Sequence, residues 1–127
     1  MQIKKKRPVF INLLRIKFPP TAIASIMHRI AGVLLIVSLP FLIYLFNLSL
    51  QNQASFASAK MLTDHPLVSI YLYLLLWAIS HHFLAGIRYF LIDLEIISGK
   101  CAAAGSASIV TAAGVLIPVI VFSWGFI

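Results

Sequence analysis

Apolar and polar positions in this chain fall into long separate blocks. From Ile30 to Leu50 no acidic, basic or histidine residue interrupts the run. A second apolar block extends from about Leu67 to Ile92 and is broken only by His81, His82 and Arg88. A third, Cys101 to Ile127, carries no charge at all. A bilayer-spanning helix needs about 20 apolar residues. The pattern therefore predicts an all-α protein with three transmembrane helices, at about 21–50, 66–93 and 102–126. One membrane domain, 1–127, is expected, with a cytoplasmic N-terminal segment at 1–20.

The boundaries are marked by ordinary start and stop signals. Pro19 and Pro20 suit a helix entrance, and Thr21 can cap one. Pro40 falls inside the first span, where membrane helices tolerate a kink. Residues 51–65 are rich in Asn, Gln and Ser and read as an outside loop. Asp64 is the expected cap of the second span, with Pro66 in its first turn. Asp93, Glu95, Gly99 and Lys100 mark the return to water. In the third span Ala104, Ser108 and Ala112 recur every fourth residue, which predicts a small-residue packing face. Trp124 is a reasonable interfacial anchor.

Composition agrees with a membrane protein. Of the 127 residues 61% are hydrophobic and 10% charged, against roughly 25% charged in soluble domains. The net charge of +7 is concentrated ahead of the first span, in Lys4, Lys5, Lys6, Arg7, Arg15 and Lys17. That is the distribution of a cytoplasmic anchor under the positive-inside rule, not of a nucleic-acid surface, which interleaves basic and aromatic residues on a folded face. The N-terminus is then inside and the C-terminus outside. The first apolar run is too long for the core of a signal peptide. Cys101 is the single cysteine, so no internal disulfide or thiolate cluster can form.

Two clusters could carry chemistry. Ser25, His28, Arg29 and Gly32 share one sector of the first helix, at about 100° per residue. A hydroxyl, an imidazole and a guanidinium together can bind a polar headgroup or a carboxylate. The plainer reading is a basic edge snorkelling to lipid phosphate. The second cluster is His82, Gly86, Tyr89 and Asp93. His81 lies about 100° round the helix, on the stripe of Arg88. Ionisable groups in hydrocarbon are costly and mark function, and neutral imidazole is a good ligand for haem iron. The plainer reading here is a pair of histidines bonded to neighbouring helices. Gly86, one turn from His82, would leave room for a flat macrocycle. His82 lies six residues, or about 9 Å, deeper than Arg88, in the same half of the membrane as Ser25, His28 and Arg29.

Counting ligands points to a partner. A six-coordinate haem needs two axial ligands. The third span has no histidine, and His65 falls on the opposite side of the membrane. His81 and His82 are neighbours and cannot oppose each other across one iron. The second ligand is therefore expected from another chain. No zinc spacing, phosphate loop or serine–histidine–acid set is present.

Several stretches resemble a known family. Arg7-Pro8, Arg15-Ile16-Lys17-Phe18-Pro19 and Thr21-Ala22-Ile23-Ala24-Ser25-Ile26-Met27-His28-Arg29-Ile30-Ala31-Gly32 are similar to the signature of the cytochrome b membrane-anchor subunit of succinate dehydrogenase. The second match runs from His82 through Gly86-Ile87-Arg88 to Asp93. The resemblance implies half of a heterodimeric haem-binding membrane bundle in a bacterial inner membrane. It implies that His82 is an axial ligand of haem b, with the other ligand supplied by a second anchor subunit. Ser25 and Arg29 would line a ubiquinone site at the boundary with an iron–sulfur subunit, and His28 and Arg29 would approach the haem propionates. A flavoprotein subunit would oxidise succinate, and the anchor would not catalyse alone. Tyr89 stands where the family often has a second histidine, Glu95 where glycine is common, and His81 is an extra histidine. Two other readings remain open: a fumarate reductase anchor using menaquinol, and a haem-free membrane scaffold.

Overall fold

The computed structural model describes residues 16–124. The basic cluster Lys4 to Arg15, the first part of the family-like signature and the last residues of the third span lie outside the described residues. Four α-helices follow in order: α1 Pro20–Gln51, α2 Gln53–Thr63, α3 Pro66–Asp93 and α4 Lys100–Trp124. The protein is all-α, and α1, α3 and α4 are long and apolar enough to cross a membrane.

The helix ends correct two sequence expectations. Pro19 is the N-cap of α1, Pro20 occupies its first turn, and no side chain caps it. Thr21 is already helical. A proline at that position loses nothing, because its missing N–H would have had no partner. For the same reason α3 starts at Pro66 behind His65, again with no side-chain cap. Asp64 is instead the C-cap of α2. Pro40 lies within α1, and the helix runs on to Gln51.

The segment expected to be an outside loop contains α2. Asn52 opens it with a reciprocal capping box: its side chain accepts from the Ser55 N–H at 2.9 Å, and Ser55 Oγ accepts from the Asn52 N–H at 3.0 Å. The intervening Ala and Ser residues are short enough to lie on the bundle, and Ala59 is buried against it. We call this the distal end. The proximal end holds the start of α1, the end of α3 and the start of α4.

Helix α3 is central and packs extensively on both α1 and α4. The inner faces are built from small residues. Ala24, Ala31, Ala59, Ala78, Ala85 and Ala107 are buried, with Leu45 and Leu75. Lipid gives helices no hydrophobic reason to associate, so close backbone approach and hydrogen bonds must hold them. In the distal half the Ser38 and Tyr71 hydroxyls bond α1 to α3. The face α4 turns inward carries Ala107 and Gly114. Ser108 and Ala112 of the anticipated stripe are exposed, in a groove of about 610 Å³ shared with Pro20 and Ile23.

Helix α3 ends in a Schellman motif. The Glu95 N–H donates to Ile92 O at 2.9 Å and the Ile96 N–H to Leu91 O at 3.0 Å. Closing these two bonds needs a left-handed residue at the position after the cap, and Glu95 adopts φ 59°. This is the position where the resemblance leads one to expect glycine.

Candidate functional site

His28 comes from the third turn of α1 and His82 from the proximal half of α3. Their rings stack with centroids 4.1 Å apart and planes 9° from parallel. His82 Nδ1 lies 3.1 Å from the His28 backbone carbonyl. A carbonyl only accepts, so this bond requires the Nδ1–H tautomer. The lone pair then sits on Nε2. Imidazoles that ligate metals are held in the same way, donating the other ring N–H to a carbonyl or carboxylate.

Gly32 makes this arrangement possible. A Cβ there would fall 2.9 Å from His82 Cε1 and 3.2 Å from Nδ1. Gly86 is expected to supply room for a flat group, and beyond its chain neighbours and the backbone of its own helical turns no described atom lies within 4 Å of the place its Cβ would take. The two glycines divide the work. Gly32 seats the ring against α1, and Gly86 leaves open space one turn along α3.

The remaining residues are distributed around this pair. Tyr89 sets its ring edge-on to His28 at 5.3 Å, and its hydroxyl is buried without a hydrogen bond among the described residues. Ser25 is half-buried and Arg29 exposed. Arg29 heads a groove of about 460 Å³ whose other walls are Ile30, Val33, Leu34 and Val37. The sector expected to be one face is thus split: His28 and Gly32 turn to α3, while Arg29 turns outward. Asp93 is exposed at the helix end.

Two polar groups lie deeper than the sequence disclosed. Arg88 is buried, and its Nε donates to Ser106 Oγ at 3.0 Å and its Nη2 to Ala103 O at 2.9 Å. Its guanidinium also lies over the Tyr89 ring, 5.3 Å from the centroid. His81 is fully buried inside the chain's own bundle. The shared stripe of His81 and Arg88 could be read from spacing. That α4 closes over both could not, because Ser106 and Gly114 show no distinctive pattern among many small neighbours.

A polytopic helical membrane protein, with an oriented imidazole between two of its helices, is the class these elements define. The chain belongs to the succinate dehydrogenase/fumarate reductase transmembrane subunit family, whose model matches residues 3–122. It is 37% identical over 90 residues to the succinate dehydrogenase cytochrome b556 subunit of Coxiella burnetii (strain RSA 493 / Nine Mile phase I), covering 70% of this chain and 72% of that protein.

Proposed function

We propose that this chain is the cytochrome b anchor of a succinate dehydrogenase, binding haem b through His82 and helping to form a ubiquinone-reduction site with Ser25 and Arg29. The observation that carries this reading is the His82 Nδ1–H bond to the His28 carbonyl. It fixes the tautomer and leaves the Nε2 lone pair for a metal. Stacking by His28 covers a ring face, and the Nε2 lone pair lies in the ring plane, so the two would not compete. The open space beside Gly86 fits a planar group at the same depth.

Bound there, a haem supplies a one-electron carrier within the membrane. His82 would hold it together with a residue of a second anchor subunit. His81 is sealed inside the bundle and is not available for that purpose. His28 and the exposed Arg29 would approach carboxylates directed to the proximal end. A quinone carbonyl accepts a hydrogen bond from the Ser25 hydroxyl. Arg29 stabilises negative charge on the reduced ring as electrons arrive, the interaction that preorganised donors make most effectively in a low-dielectric site. Protons enter from the proximal, cytoplasmic side of a bacterial inner membrane. Electrons come from an iron–sulfur subunit docked at that end, fed by a flavoprotein subunit.

The test is a reduced-minus-oxidised absorption spectrum of the assembled complex, wild type and His82→Ala. A b-type band that disappears in the variant is the expected result. A wild-type complex without that band would leave only a scaffold role. Ser25→Ala and Arg29→Ala complexes are expected to keep the band and to reduce quinone slowly; wild-type rates in both would remove the quinone assignment.

A further inference from the structure

One stripe of α3 is not used by the proposed site. Ala78, His81, Ala85 and Arg88 follow one another at three- and four-residue spacing and are all buried. Both polar members are closed by α4. Ser106 and the Ala103 carbonyl hold Arg88. His81 sits in a notch at Gly114, where an added Cβ would lie 2.9 Å from its Nδ1, 3.0 Å from its Cβ and 3.2 Å from its Cα. Trp77, one turn earlier, lies nearly parallel to the imidazole at 5.8 Å and 18°. The Ala24 backbone of α1 approaches from the third side, close enough to interact with the ring, though neither ring nitrogen reaches full hydrogen-bond geometry among the described residues. A flat side chain is thus gripped by three helices through shape.

His81 and His82 are equivalent ligands about 100° apart on one helix. Rotating α3 by that angle would exchange them. The lipid-facing residues Ile79, Phe83, Ile87 and Phe90 are exposed and resist rotation little, because apolar contact with lipid is as good in one orientation as in another. The buried stripe is what distinguishes the orientations. Only the small Gly114 admits an imidazole at this depth, and only one rotation lets Arg88 reach Ser106 and Ala103 together. We infer that His81 is a positioning residue: seated in the Gly114 notch, it keys the rotation of α3 and selects His82 as the histidine turned toward Gly32. This deepens the haem reading, and one arm of its test is independent of that reading.

The first arm records electron paramagnetic resonance of the oxidised complex in His81→Leu, His81→Gln and Gly114→Ala. The g values of a low-spin haem report the relative orientation of its axial ring planes. A shift is expected in the Leu and Gly114→Ala complexes, with a smaller one for the flat Gln. The second arm is maleimide labelling, in native membranes, of Ile92→Cys in a Cys101→Ser background; Ile92 continues the buried stripe to the proximal end of α3 and is half-buried. The introduced cysteine is expected to label slowly with His81 present and faster when His81→Leu is added. Labelling precedes extraction, so a variant too unstable to purify still reports. Unshifted g values together with an unchanged labelling rate in His81→Leu overturn the keying. A His82→Ala complex that kept its haem overturns the ligand assignment instead, so the two failures are separable.

Discussion

Gly32→Ala is the sharpest perturbation of the site, because it adds a single carbon where the structure has no space. The new Cβ would meet His82 Cε1 at 2.9 Å. Restoring carbon–carbon contact of about 3.5 Å requires the ring to retreat by ~0.6 Å. The same retreat lengthens the 3.1 Å bond from Nδ1 to the His28 carbonyl to ~3.7 Å, beyond hydrogen-bonding distance. Overpacking of this kind costs about 1–3 kcal/mol, and the lost bond about 0.5–1.5 kcal/mol. Alanine returns about 0.5–1 kcal/mol over glycine within a helix. The net is about 2 kcal/mol against the ligand-ready conformer, or roughly 30-fold in haem affinity, within the range of about 10–100-fold typical of losing a ligand's supporting bond. The assay is haem content per complex after graded detergent washing, with the reduced absorption band recorded alongside. Haem retention equal to wild type, with an unshifted band, would refute the claim that Gly32 seats the ligand.

Two further outcomes test the scaffold around the site. Arg88→Lys is expected to lower the thermal inactivation temperature of the complex, by the equivalent of about 2 kcal/mol for a lost charged hydrogen bond, since an ammonium cannot serve Ser106 Oγ and Ala103 O in the geometry of the guanidinium fork. Arg88→Met should be milder than lysine because it removes the buried charge as well, and lysine matching wild type would sink the argument. Glu95→Gly relieves a left-handed conformation that costs residues with a β-carbon about 1–2 kcal/mol. A rise in melting temperature worth about 0.5–1 kcal/mol is expected, after the greater freedom of glycine in the unfolded chain is discounted; a fall would refute the strain.

What the sequence revealed followed from the strength of each signal. The three spans were legible because long charge-free runs have few other uses. His82 and His28 were legible as candidates because each interrupts such a run. Helix α2 was not, since it is short, its flank Gln51–Gln53 is polar, and its stability comes from a capping box and from lying on α1. Angular spacing alone resolves about a third of a turn, which merges the Ser25–Gly32 sector into one face. Packing then divided it, with Gly32 inward and Arg29 outward. The small residues of α4 recur at more than one register. Choosing the face of Ala107 and Gly114 over that of Ser108 and Ala112 required knowing where His81 and Arg88 would go.

The inner surface of this bundle is mostly alanine, and that bears on how the gene can vary. Most large side chains face outward, where one aliphatic residue can replace another with little effect within the chain. The sites that tolerate least are the smallest ones, Ala24, Ala31, Ala78, Ala85, Ala107 and Gly114, where an added methyl separates two backbones. A saturation scan would therefore show intolerance following smallness instead of hydrophobicity. Its constrained positions would outline the helix–helix seams and leave the lipid-facing majority free to drift.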